Sequence, residues 1–376
     1  MDLLDQAIVS SGAAAYVGYA SSADPDMRYL TRFQTTDPVL FLKRPGERGQ
    51  VVVSQMEYAR AASESTFAPI TRAEAGLFTH WKDPSDRWSA MAAAIAGLAK
   101  GDVLVPPSFP IALARGLESH CRVVVDDGTI QRLRAVKVPA EVQEIRAVQR
   151  ANEAAMAAAV GMIRAAEVRD GLLVLGGEEL TAERVRAECH VTLLSHGCRA
   201  ADTIVACGEQ AAQPHQRGTG PLAADQPIVI DIFPEDELSG YFADMTRTVV
   251  KGEPSDEVRG MFEAVAEAKA LAIARIRAGV PGAEVHQAVV DLFAGRGYAS
   301  EGAAGFTHNL GHGVGLEVHE LPTLGPQGGP LEVGNVVTVE PGLYLPGVGG
   351  VRLEDMGLVT PDGFENFTRF DEELVL

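Results

Sequence analysis

The stretch GHGVGLEVHE, residues 311 to 320, sets His312 and His319 seven apart with glycine on both sides of the first. His308 stands four residues before His312, so three of the chain's nine histidines fall within twelve residues. Ligating histidines on one helical face are spaced by four, and a spacing of seven with interleaved glycine does not fit that template. Metal ligation, a catalytic role and simple proximity all stay open on these residues alone.

Acids recur in a matching pattern. Asp231 lies in the apolar run PIVIDIF (227–233), and Asp244 follows thirteen residues on in YFADMTRTVV (241–250), across the turn-rich PEDELSG. Glu340 closes NVVTVE (335–340), and Glu354 follows fourteen residues later in VRLEDMGLV (351–359), across PGLYLPGVGG. Two successive hairpins with two acids each are expected to be two halves of one site, facing positions bringing carboxylates within about 5 Å. A single acid of this kind could be a solvated residue at a strand end. Four in strands this rich in valine and isoleucine cost too much to bury unpaired. Two divalent cations offset four carboxylates and sit about 3.5–4 Å apart when carboxylates bridge them. With one imidazole added, the donors are mostly oxygen and suit Mn²⁺, Co²⁺ or Zn²⁺ over a thiolate-bound metal.

Positioning these residues calls for helices and strands in blocks. Helices are predicted at about 139–166, 181–195, 256–278 and 283–294. Pro139 suits a first turn, and Val142, Ile145, Val148 and Met156 follow at near-helical intervals. Ser255 caps the third helix, acids fill its first turn and Gly279 is expected to stop it. The four acid-bearing strands lie between and after these helices, which favours α+β over a doubly wound sheet. Residues 1–135 read as a smaller α/β domain, with apolar runs PVLFL, VVVS, DVLVPP and RVVVDD and a helix at 87–99. The second domain is expected to span 136–376.

Bulk properties narrow the partners. The chain has 376 residues, 46% hydrophobic and 22% charged, and a net charge of −19 from 32 basic and 51 acidic residues. No nucleic-acid partner is expected, because phosphate binding needs a basic surface. Acids near the N-terminus replace the basic start of a secretory signal, and no apolar run could span a bilayer. Cys121, Cys189, Cys198 and Cys207 show no CxxC spacing, so a cytoplasmic protein with reduced thiols is expected. Cys189, His190, His196 and Cys198 match no structural-zinc spacing and are set aside.

Taken together, GHGVGLEVHE, VTVEPGLY and VRLEDMGLV, with GYFADMTRT upstream, resemble the creatinase/aminopeptidase family of dinuclear metallopeptidases. Within it they are most similar to Xaa-Pro dipeptidases (prolidases) and Xaa-Pro aminopeptidases. The resemblance covers roughly 140–376, and MRYLTRF and DPVLFL are reminiscent of the family's small non-catalytic domain. It implies the pseudo-symmetric "pita-bread" α+β fold behind a smaller N-terminal α/β domain. By the same resemblance, Asp231 would chelate one ion, Asp244 and Glu354 would bridge both, and His312 with Glu340 would complete the second. His319 would stabilise the tetrahedral intermediate, while His308 and His215, the latter in TIVACGEQAAQPH, would line the pocket and place the scissile bond. Water shared by the two cations would be the nucleophile, with Glu340 taking and returning its proton. Glycines 311, 313 and 315 would let backbone pass close to the metals.

The activity so implied is hydrolysis of the Xaa-Pro bond in dipeptides. Xaa-Pro aminopeptidase action on longer peptides is the alternative. A metal-free creatinase-like or binding-module relative is disfavoured by the five acceptable ligand residues. The partners implied are a small peptide with proline after the scissile bond and a second copy in a homodimer, and the cofactor is two divalent ions per chain, Mn²⁺ ahead of Co²⁺ or Zn²⁺. Two departures stand out. The Asp231–Asp244 connection is two residues longer than the family's usual spacing, and HELPTLGPQGG brings no arginine before Glu340 to hold a substrate carboxylate. Arg352, Arg369, Arg44 and Arg48 are the candidates for that task.

Overall fold

Short runs of β-branched residues in the N-terminal part form a six-stranded mixed sheet. Its order is Ala68–Thr71, Gln50–Val53, Val39–Lys43, Ala15–Ala20, Val103–Val105, Val123–Val125. Alternate residues of each strand enter different cores. Val17, Leu40, Leu42 and Val52 pack with the helix Arg87–Ala99, whereas Tyr16, Phe41, Val51 and Val53 pack with Leu4, Ile8 and Met27. Covering on both faces explains why these strands read as unbroken apolar runs. The computed structural model describes residues 2–81, 83, 86–200 and 202–376, and the chain divides into two units, Met1–Arg134 and Ala135–Leu376.

In the second unit one pattern occurs twice. Helices Pro139–Ala165 and Ala182–Ser195 precede the antiparallel strands Ile204–Cys207, Ile228–Ile232 and Met245–Val249. Helices Asp256–Arg275 and Gly282–Gly295 precede the antiparallel strands Gly311–Gly313, Val336–Val339 and Asp355–Val359. This duplicated α+β unit is the pita-bread arrangement. Local chemistry accounts for the helix starts: Ser255 accepts the Val258 N–H, and Glu141 reaches back to the Val138 N–H at 2.9 Å beside Pro139. The third helix stops at Arg275, short of the expected 278. Ile276 leaves it in an extended conformation and buries its side chain in the core, so packing ends this helix before Gly279 can.

The two acid-bearing hairpins are long, and each is interrupted once without a change of register. In the first, Ile228↔Val249 through Ile232↔Met245 is followed by Glu235↔Phe242. In the second, Val336↔Leu358 through Val339↔Asp355 is followed by Gly342↔Arg352 through Leu345↔Gly349. The continuous strands expected over 241–250 and 351–359 are therefore each shortened or broken, at Asp244 and at Leu353–Glu354. Pro341, lacking an N–H, faces the second break. Among the described residues no helix is long and apolar enough to cross a membrane.

Candidate metal centre

Strand parity sets the site's floor. Asp244, Thr246 and Thr248 alternate onto one face of their strand, and Arg247 and Val249 onto the other. The register pairs Asp231 with Thr246, so Asp231 and Asp244 are diagonal neighbours on that face and do not face each other as expected. The second hairpin's register sets Glu340 opposite Glu354 at the break. The two hairpins join along one seam. The Glu354 N–H donates to Thr246 O at 3.0 Å, the Thr246 hydroxyl donates to Glu354 Oε2 at 2.8 Å, and the Arg352 N–H donates to Thr248 Oγ1 at 3.0 Å.

His312 arrives on the strand Gly311–Gly313, which pairs with Glu320–Leu324. The connecting loop returns His319 onto it, and the two rings meet edge to face with centroids 4.2 Å apart. Strand, loop and strand thus explain a spacing of seven. His312 Nδ1–H donates to Gly313 O at 3.1 Å, which leaves Nε2 toward Glu340 Oε1 at 3.2 Å and Asp244 Oδ2 at 3.8 Å. The His312 N–H is held by Thr338 Oγ1, itself 3.4 Å from Glu340 Oε1. The glycines admit the neighbouring strands: a Cβ on Gly311 would stand 2.1 Å from Thr338 O, and one on Gly313 2.1 Å from Leu321 O.

Asp244, His312 and Glu354 present ligand atoms all within 4.8 Å of one another, the one such group among the described residues. The Cys189 thiol, by contrast, meets the Ala155 carbonyl. Asp231, Asp244 and Glu354 are buried, and Asp231 Oδ1, Asp244 Oδ1 and Glu354 Oε1 have no hydrogen-bond partner. Burial, then repulsion from Glu354, Asp231 and Glu340, pushes Asp244 well above the usual carboxylate range. Burial, then Glu340 and Asp231, does the same to Glu354. Glu340 goes the other way. Burial would raise it, but the hydrogen bond and charge of His312 with the charges of His308 and Arg352 hold it at about 2. Burial would lower His312, but the hydrogen bond and charge of Glu340, the Gly313 carbonyl and the charge of Asp231 together raise it. Orphaned carboxylate oxygens that can ionise together only against added positive charge, with one imidazole beside them, fit hard divalent cations.

Arg352 is buried, and its guanidinium donates to Asp231 Oδ2 (2.7 Å), Tyr344 Oη (2.8 Å), Thr246 Oγ1 (3.2 Å) and Pro214 O (3.4 Å). Burial and the engagement of four of its five N–H groups favour a role in orienting Asp231 over the expected one of reading substrate. Tyr344 continues this chain to His308 Nε2 at 2.8 Å, while His308 Nδ1 meets Asn309 O at 2.7 Å. His308 and His215 border one open cleft with Gln213, Pro214, Gln216 and Thr307. Arg369 borders a cavity with Arg247 and Val249, on the strand face turned away from Asp244. Arg44 bonds Glu47 and Leu98 O, and Arg48 bonds Thr66 O, all in the first unit. Thr246, Thr338 and Tyr344 went unmarked in the sequence. Parity with Asp244 and Glu340 was the signal that could have found them.

Residues 143–361 match the model of Metallopeptidase family M24. An uncharacterized peptidase of Staphylococcus haemolyticus is 36% identical over 254 residues, covering 65% of this chain and 66% of that one, just under two thirds of its length. Another, from Bacillus subtilis, is 39% identical over 176 residues, or 46% of this chain and 48% of that one. Among solved structures, the prolidase from Pyrococcus horikoshii superposes with a TM-score of 0.83 at 25% identity, over 99% of this chain and 98% of that one. The X-Pro aminopeptidase from Thermotoga maritima does so with a TM-score of 0.82 at 26% identity, over 97% and 98%.

Proposed function

Because this chain belongs to metallopeptidase family M24, we propose that it hydrolyses the Xaa-Pro bond of dipeptides, with two divalent cations held by Asp231, Asp244, His312, Glu340 and Glu354. Mn²⁺ is the first choice, and Co²⁺ or Zn²⁺ suit the same donors. When bound, the cations supply activated water and polarisation of the scissile carbonyl. Glu340, which the cations would hold ionised, is the proton acceptor for the attacking water. Partial burial lowers His319 from the usual histidine value and favours its neutral form, able to donate a hydrogen bond to the carbonyl oxygen as charge develops there. His308, fixed by Tyr344 and Asn309, and His215 place the peptide in the cleft.

The observation that carries this reading is the set of buried carboxylate oxygens without partners, Asp231 Oδ1, Asp244 Oδ1 and Glu354 Oε1. Likeness over the whole length to a prolidase supports the dipeptide substrate. A second reading, Xaa-Pro aminopeptidase action on longer peptides, is favoured by the burial of Arg352 and the engagement of four of its five N–H groups by protein acceptors. The test is hydrolysis of an Xaa-Pro dipeptide, its C-terminally amidated analogue and an Xaa-Pro-Yaa tripeptide, each with Mn²⁺, Co²⁺ and Zn²⁺. Preference for the free dipeptide supports the first reading. Equal or faster cleavage of the amide and tripeptide moves the assignment to the second, and no cleavage of any of them rejects both.

A further inference from the structure

Glu320, the last residue of GHGVGLEVHE, has no part in the chemistry above, yet its side chain is only 4% exposed. It is ion-paired with Lys137 Nζ, whose side chain is 1% exposed. Lys137 lies two residues before the helix Pro139–Ala165, and its backbone N–H is tied to Gly334 O at 2.9 Å. The loop that carries His319 is wrapped around this carboxylate. A Cβ on Gly315 would stand 2.3 Å from Glu320 Oε1, so any larger residue there would displace the carboxylate. Gly315 N–H donates to Glu317 O at 3.1 Å, and Gly315 O accepts the Phe242 N–H at 2.8 Å, two residues from Asp244.

The strand ladder does not locate His319 by itself. Between His312 and Gly313 the register slips, from His312↔Thr323 to Gly313↔Glu320, just where His319 joins the strand. A buried ion pair adds little net stability relative to apolar residues of similar volume, but removing one partner strands a charge. What such a pair supplies here is position. We infer that Lys137 and Glu320 are positioning residues, which hold the His319 imidazole against His312 where the peptide carbonyl must bind. This rests on the proposed role of His319 in peptide hydrolysis.

The experiment compares Glu320→Gln and Lys137→Met, each in the wild-type and His319→Ala backgrounds, as metal-loaded protein. Hydrogen exchange of segment 314–320, read without substrate, is expected to accelerate while metal content holds at the wild-type level. In the wild-type background kcat is expected to fall roughly 10- to 100-fold, the usual scale for a partner that orients a site residue. In the His319→Ala background the same substitutions are expected to change kcat little, since they act through His319. Should either single variant fail to fold, Lys137→Met with Glu320→Leu removes both charges and undergoes the same comparison. Unchanged exchange in 314–320, or an equal loss of kcat with and without His319, overturns the inference. Because exchange is measured without substrate, it reports the anchoring even where the proposed hydrolysis fails.

Discussion

Thr246 and Glu354 are joined twice, through the Thr246 hydroxyl to Glu354 Oε2 at 2.8 Å and through the Glu354 N–H to Thr246 O at 3.0 Å. They belong to different hairpins, 108 residues apart, so this double link stitches the two halves of the repeat at the carboxylate cluster. Glu354→Ala should lose both metal and turnover. Thr246→Val should retain the fold and weaken metal binding by roughly 10- to 100-fold, as measured by titration calorimetry. A Glu354→Ala protein with wild-type metal content and turnover removes Glu354 from the ligand set.

His312 and His319 should separate under mutation. His312→Ala is expected to lose metal and activity together, because its Nε2 lies among the carboxylates. His319→Ala is expected to keep its metal and lose kcat, the signature of a bond made mainly in the transition state. Metal analysis of both purified variants decides this, and equal metal loss would make His319 a ligand.

Chelation should reverse the protein's pH response. In the metal-free chain Asp244 and Glu354 titrate above ordinary carboxylates, so the folded state holds more protons than the unfolded one. Their contribution is complete below about pH 4 and is lost as pH rises through the raised values. His312, also raised, slopes the same way. Glu340, at about 2, slopes oppositely but only in acid. Thermal unfolding in excess chelator should therefore show Tm falling as pH rises above about 4, less so in Asp244→Asn, and with no such trend once metal is restored. A slope identical in Asp244→Asn and wild type would remove Asp244 as its source.

Tyr344→Phe tests the link between Arg352 and His308. The lost hydroxyl leaves an Arg352 N–H and the His308 Nε2 without their partner, a cost of about 1–3 kcal/mol, or roughly 5- to 150-fold if it falls on kcat/KM. Metal content should change little, because Arg352 still holds Asp231. Loss of metal instead would show that the tyrosine supports Asp231 itself.

Arg369→Ala should leave KM for an Xaa-Pro dipeptide unchanged. Its side chain borders the cavity on the strand face opposite the carboxylates, with Arg247 and Val249. A raised KM, spared in the amidated analogue, would return Arg369 to the substrate's carboxylate.

The residues by themselves determined the chemistry of the centre. Acids within runs such as IVIDI and VVTVE must either meet positive charge or stay protonated, whatever the fold around them. Spacings of thirteen and fourteen across turn-rich segments were enough for two hairpins, and strand parity for which face the acids share. Tertiary structure alone decided the rest. The diagonal offset of Asp231 and Asp244 depends on a register set along the whole hairpin, and the interruptions at Asp244 and Glu354 on where the two hairpins meet. Arg352 takes Asp231 from 121 residues away, and Lys137 takes Glu320 from 183. Local periodicity carries no information on such pairings, because a charged side chain finds its partner only after long loops close and the whole fold brings the two together.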